Sequence, residues 1–350
     1  VIYIMKKNES YPPLKAVELA NKKMPEIWDA IEKTRVSMLN RNSPPWREDI
    51  YIPAWQIYES TFLNGPYHIP KEARPRALAV VLSILASWRQ YKEVYRFAPE
   101  MENLLYQQAD FNLPLDTLLN LPFSCFYIEA PQICGERYHG FFIAFDQAKD
   151  GSPLLRCMST KKDDSLTFDF SEILLEKGKT LKYGIAKAAT SAAAEVGLKS
   201  LHGQIASELL ISAQYQLVVL SRLSQLLLYL TAQNADLKES GKSHGRAVGK
   251  NIKDRYREIR NWDVGFRVVN KLEKAISHSE PNSDQGSNGY HSDGKIRRSP
   301  KPHWRCSHWH LFWTGKRKSE NRKFIIKWIS PTLINCKSSE ELPMIVNQIR

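Results

Sequence analysis

The sequence predicts an α+β protein: a helical N-terminal part, a small central β-sheet packed by a long helix, and a C-terminal β-hairpin module. Three features point there. Apolar residues recur at helical spacing through residues 14–108, short aromatic and β-branched runs bounded by Pro, Gly and Asp begin after Leu115, and a leucine-rich helical pattern returns at Leu201–Ala235.

In the N-terminal part, Val17, Ile27, Ile31 and Leu39 share a helical stripe over residues 14–40, and the Pro-rich stretch Ser43–Pro53 interrupts it. A second helix is predicted over Ala77–Tyr95, with Leu78, Val81, Leu82, Leu85 and Trp88 on one side, and a third over Pro99–Gln108. Strands are predicted at Phe126–Glu129, Gly140–Phe145, Leu154–Met158 and Leu166–Phe170. In the long helix, Leu217, Leu220, Leu223, Leu227 and Leu230 form a wide stripe suited to central packing. Ser240–Ser243 and Arg246–Arg260 look like basic linker, and residues 276–302, rich in Ser, Gly, Asn and Pro, like a flexible one. His308–Trp313 and Phe324–Ile329 alternate as strands and are joined by the basic stretch Thr314–Lys323, a hairpin pattern. The division expected is 1–114 helical, 115–237 central α+β, 238–302 basic segment and linker, and 303–350 hairpin module.

Charge is distributed unevenly. The net charge is +13, yet residues 1–237 hold 26 Lys+Arg against 26 Asp+Glu, while residues 238–350 hold 24 against 11. The whole surplus sits in the last third, which points to a polyanionic partner such as RNA, DNA or a ribosomal surface; a solvated basic surface without one partner is the alternative. Five widely spaced cysteines with no C-x-x-C pair argue against a disulfide scaffold or a zinc ribbon and suit a reducing cytosol. No signal peptide is expected from the first residues, and Met5 is an alternative start. Leu209–Leu230 is interrupted by Gln214, Gln216, Arg222 and Gln225, so no membrane span is expected.

Several enzyme signatures fail. Ser240-Gly241-Lys242-Ser243 lacks the first glycine of a phosphate-binding loop, and neither a G-x-S-x-G elbow nor a dinucleotide fingerprint appears. Asp163, Asp164 and Asp169 suit a surface turn better than a cation site.

The hairpin carries the candidate contact chemistry. Alternation puts His308, His310 and Phe312 on one face and Trp309, Leu311 and Trp313 on the other, and splits Phe324, Ile326 and Trp328 from Ile325, Lys327 and Ile329. Flat rings stack on bases at about 1–3 kcal/mol each, and nearby cations neutralise phosphates. The candidate binding residues are therefore His303, Arg305, His308, Trp309, His310, Trp313, Lys316, Arg317, Lys318, Arg322, Lys323, Lys327 and Trp328. For the tryptophans the competing reading is plain core packing. His308-x-His310, with His303, His291 or Cys306, has the ligand types for zinc, and imidazoles also serve as acid and base in RNA cleavage. No carboxylate stands close in sequence as a base, so no metal, cofactor or catalytic residue is assigned. A histidine-dependent nuclease remains the alternative, as does a non-catalytic interaction protein.

Longer motifs bring a family into view. Pro302-His303-Trp304-Arg305, His308-Trp309-His310-Leu311-Phe312-Trp313-Thr314-Gly315, Lys327-Trp328 and Pro331 follow in order. Upstream stand Ser87-Trp88-Arg89, Leu119-Asn120-Leu121-Pro122 with Cys125 and Tyr127, Gly140-Phe141-Phe142, Leu228-Tyr229-Leu230 and Val264-Gly265-Phe266-Arg267. Together these resemble the type V-A anti-CRISPR family of phage and mobile-element proteins, across about residues 75–335. Cys306-Ser307 departs from the family pattern, where an Arg and a small residue are usual. The resemblance implies a cytoplasmic anti-defence regulator in a bacterial host. It also implies reduced production of an RNA-guided effector nuclease through its nascent chain or message, with RNA or the ribosome and nascent polypeptide as partners.

Overall fold

The computed structural model describes residues 11–40, 46–65, 67, 75–107, 112–135, 137–162, 169–195, 203–243, 258–277, 303–315 and 323–334. Of these, 191–195, 203–213, 242–243, 275–277, 303–304, 323–324 and 333–334 are described by backbone alone. The chain opens with α1 (Pro12–Lys23), where prolines at the first helical positions cost no hydrogen bond, and α2 (Ile27–Leu39). Then come α3 (Ala54–Ile57), continuing as a π-helical turn, and α4 (Pro75–Tyr91). The middle of the chain gives β1 (Glu93–Phe97), α5 (Pro99–Tyr106), a 3-10 turn (Leu115–Asn120), β2 (Cys125–Glu129), α6 (Pro131–Cys134), β3 (Tyr138–Gln147), β4 (Pro153–Lys161) and β5 (Phe170–Leu174). After these lie α7 (Leu181–Glu195), α8 (Gly203–Thr231), β6 (Leu237–Ser243), β7 (Ile259–Val264) and α9 (Phe266–Ser277). The last elements are β8 (His303–Arg305), β9 (His308–Thr314), β10 (Lys323–Ile329) and β11 (Thr332–Ile334).

The α+β class holds, around a seven-stranded sheet in the order β5-β4-β3-β2-β1-β7-β6. β1 runs parallel to both β2 and β7, and the outer pairs are antiparallel. Helices cover both faces. Under α1 and α4 lie Val94, Tyr127, Phe142 and Met158, with Trp88 edge-on to Phe142 at 5.7 Å. Phe97, Phe126, Phe141 and Cys157 occupy the opposite face, where α8 packs Tyr229 against Phe97 at 6.5 Å.

Three element expectations are corrected. The helix predicted to Tyr95 stops at Tyr91: Lys92 takes φ 52, its amide still bonds Trp88 O at 2.8 Å, and Glu93–Phe97 becomes the central strand. Residues 244–257 lie outside the described residues, and where it is described the basic stretch read as linker (Ser240–Ser243 and Arg246–Arg260) supplies the end of β6 and the start of β7. Its charged residues hide strands because their charges are matched inside the fold, as with Arg260 and Glu93. The fourth predicted strand lies instead at β5, Phe170–Leu174; residues 166–168 are outside the described residues, as are 278–302 of the predicted linker.

Candidate binding face on the C-terminal hairpin

β9 and β10 pair in an unbroken antiparallel register that sets Trp309 opposite Trp328, Leu311 opposite Ile326 and His310 opposite Lys327. One face of this hairpin docks on the end of α8. Trp309 Nε1 donates to Gln225 Oε1 at 2.9 Å, and Trp328 meets Tyr229 edge-on at 5.6 Å, one helical turn along. The turn after α8 fastens the edge of β10. Gln233 N donates to Ile326 O at 3.0 Å, and the Asn234 amide bonds both Trp328 O (2.8 Å) and Trp328 N (3.1 Å). An Asn side chain here acts as one more peptide unit beside the strand.

The opposite face looks outward. His308 and His310 are exposed, His310 lies 4.1 Å from Phe312 ring to ring, and Lys327 Nζ sits 5.3 Å from the Phe312 ring. His308 Nδ1 lies 3.3 Å from Cys306 O, which restrains that imidazole near the start of the strand. Arg305 is exposed on β8, just before the hairpin. The result is a short ladder of flat rings with cations beside it, a surface suited to stacking and anion contact.

The structure separates the sequence-proposed residues into groups. His308, His310 and Arg305 are exposed with the half-buried Lys327 among them, and Trp313 is exposed on the inner face. Trp309 and Trp328 are buried against α8, so they anchor the hairpin instead of offering their rings to a partner. His303 and Lys323 are placed by backbone in β8 and β10, while Lys316, Arg317, Lys318 and Arg322 lie outside the described residues. Phe312, outside the sequence-proposed set, stands beside both His310 and Lys327 in the ladder. The anchors Gln225 and Asn234 gave no sequence signal, since a buried Gln on a leucine helix looks like a solvent-facing one.

Most other motif residues hold the scaffold. Trp88 Nε1 donates to Glu93 O at 3.2 Å, and Tyr229 Oη accepts from Asp236 N at 2.9 Å. Gly140 allows β2 to approach, because a Cβ there would stand 2.5 Å from Ile128 O and from Tyr127 Oη. Gly265 has φ +80, and a Cβ would fall 2.3 Å from Met101 Cγ. Beyond β2 and β7, the starts of α6 and α9 are met by the chain's own carboxylates. Glu102 accepts from Gln132 N (3.1 Å) and Ile133 N (3.3 Å), and Asp236 from Arg267 N (2.8 Å) and Val268 N (3.2 Å). Two tail arginines pair with carboxylates of the chain itself: Arg260 with Glu93 and Arg267 with Asp236. Among the described residues no three His, Cys, Asp or Glu side chains are grouped to hold a metal, and no helix is long and apolar enough to cross a membrane.

Fold and site together define an α+β protein whose sheet core carries an aromatic hairpin presented on a long helix. The AcrVA2-like family, the anti-CRISPR type V subtype A2 family, matches residues 95–336, and the chain belongs to it. That makes it an anti-CRISPR-type anti-defence protein. The crystal structure of AcrVA2 is similar in fold, with a TM-score of 0.62 at 16% identity, covering 93% of this chain and 100% of that one. No curated protein sequence matches the chain.

Proposed function

We propose that this protein lowers production of a host defence nuclease by engaging its nascent chain or its message in the bacterial cytoplasm, with the outer face of the hairpin as the contact surface. The observation that carries this reading is the division of labour in one motif. Trp309 and Trp328 fix the hairpin to α8, while His308, His310, Phe312 and Lys327 stay available on the other side. A motif that served only packing would not need an exposed ring ladder beside a cation. The surplus positive charge of residues 238–350 supports a negatively charged partner or a ribosomal surface.

The test is expression beside a type V-A nuclease, with message and protein measured together. The intact chain is expected to lower both. A variant carrying His310→Ala, Phe312→Ala and Lys327→Glu is expected to lose the effect while remaining folded. Equal loss of message with that variant would remove the hairpin face from the account.

A further inference from the structure

Between the β3–β4–β5 edge of the sheet and the middle of α8 the packing leaves a cleft. Phe141, Val219, Leu220 and Leu223 give it apolar walls, and Tyr215, 37% exposed, stands at its open side. The space amounts to ≈ 30 Å³, room for about two or three water-sized groups. A cleft of that size takes a short aliphatic body and is too small for a ring system. An apolar cleft with a few convergent polar groups is the usual form of a small-molecule site.

The polar atoms along the cleft follow a pattern. Burial raises the Tyr138 hydroxyl well above its ordinary value, so it keeps its proton and donates to Asp169 Oδ2 at 2.9 Å. Ser159 Oγ donates to Asp169 O at 3.2 Å. Both hydroxyl protons are thereby engaged. Gln216 Oε1, by contrast, is a buried acceptor with no hydrogen-bond partner among the described residues. A buried acceptor in that state is unfavourable until a donor reaches it. The Asp169 carboxylate, 3.2 Å from Lys161 Nζ, is 44% exposed and has lone pairs to spare. The inside of the cleft therefore calls for a donor.

The mouth has the opposite character. Arg137 is exposed, with its guanidinium 4.9 Å from the Tyr215 ring and 6.0 Å from the Tyr138 ring. The two aromatic rings hold this cation in place. Asp169 is matched to Lys161, whereas Arg137 has no carboxylate partner among the described residues. The outer end of the cleft calls for an anion.

We infer that this cleft binds a free, small, apolar α-amino acid, alanine to valine in size. Its ammonium group donates to Gln216 Oε1 and to the Asp169 carboxylate. Its short side chain lies against Phe141, Leu220 and Leu223, and its carboxylate meets Arg137, the residue type suited to that group. A hydroxy acid has no cation for Asp169, and an amine has no anion for Arg137. The inference does not depend on the hairpin being a contact surface. The same helix does serve both places: α8 covers the cleft with residues 215–223 and holds the hairpin through Gln225 and Tyr229.

The test is calorimetric titration of the full-length protein with L-alanine and L-valine, beside lactate, L-valine methyl ester, N-acetyl-L-valine and L-tryptophan. The first two are expected to bind. Each of the others lacks one charged group or exceeds the space, and is expected to bind about tenfold more weakly or worse. Arg137→Ala, at an exposed position, and Gln216→Leu, close in volume, are each expected to weaken valine binding about tenfold or more. Where Gln216→Leu fails to fold, Arg137→Ala and the ligand series decide. The inference is overturned if neither amino acid binds at millimolar concentration, or if any of the four comparison compounds binds as tightly as valine. Unchanged valine affinity in either folded variant would place the binding elsewhere and overturn it equally.

Discussion

Trp309 and Trp328 face each other across the hairpin, yet their indole nitrogens have different fates. Trp309 Nε1 donates to Gln225, whereas Trp328 Nε1 is buried with no hydrogen-bond partner among the described residues. Exchanging each for Phe removes similar ring volume, but only Trp309→Phe leaves the buried Gln225 oxygen without its donor. Trp309→Phe should therefore cost about 1–3 kcal/mol more than Trp328→Phe in urea denaturation; equal costs would show that the bond to Gln225 adds nothing. Glu102 offers a second residue-scale test. Burial pushes its carboxyl from 4.5 up to about 7, against opposing hydrogen bonds from Tyr106 and from the amides of Gln132 and Ile133. Folding thus favours the protonated form. Its contribution to stability is whole below pH 4.5 and is lost as pH rises toward 7. The urea midpoint of the parent should fall relative to that of Glu102→Gln across this window; parallel curves would contradict the assignment. Neither feature was legible in the sequence, because burial of a particular polar atom depends on which distant element covers it.

Among elements, the hairpin was legible and the sheet's centre was not, for one physical reason. β9 and β10 are short runs rich in aromatic and β-branched residues that sit next to each other in the chain, so their strand character and their partner are both local. β1 follows α4 after a single residue, and its apolar residues extend the stripe of that helix; the reversal at Lys92 leaves no glycine or proline as a sign. β7 reads as basic linker because Arg260, Asn261 and Asp263 dilute it. Glu93, 167 positions earlier, takes up Arg260 through its carboxylate and also accepts from Trp262 Nε1 at 2.7 Å. Patterning cannot register a polar strand whose partners are that distant. The Val264-Gly265-Phe266-Arg267 motif had a visible sequence signal, and the structure supplies its cause. Gly265 is the joint at which β7 turns into α9 against Met101. Gly265→Ala should destabilise the protein by about 1–3 kcal/mol through the positive φ, and by more where Met101 cannot yield. An unchanged urea midpoint would show that the joint has room.

At the scale of the whole molecule, part of the one-sided charge is used within the fold. Arg260 and Arg267 are matched to Glu93 and Asp236, so they tie the last third to the sheet, with the Arg267 side chain still 59% exposed. The net surplus is unaffected by such pairings, since each removes one charge of either sign. Binding of any polyanion, single-stranded RNA included, should therefore weaken steeply between low and physiological salt, with log affinity falling linearly against log salt. A flat titration would mean that the surplus meets no phosphate. The family's architecture could be expected from the motifs, but motif recurrence alone does not distinguish anchor from contact: Trp309 and His310 are neighbours in one run and turn to opposite faces. The most direct test of the account is the level of type V-A nuclease message in cells carrying either the intact chain or the variant with His310→Ala, Phe312→Ala and Lys327→Glu. The account predicts that the intact chain depletes message and that the folded variant leaves it at the level of cells lacking the protein. Full depletion by that variant would contradict it.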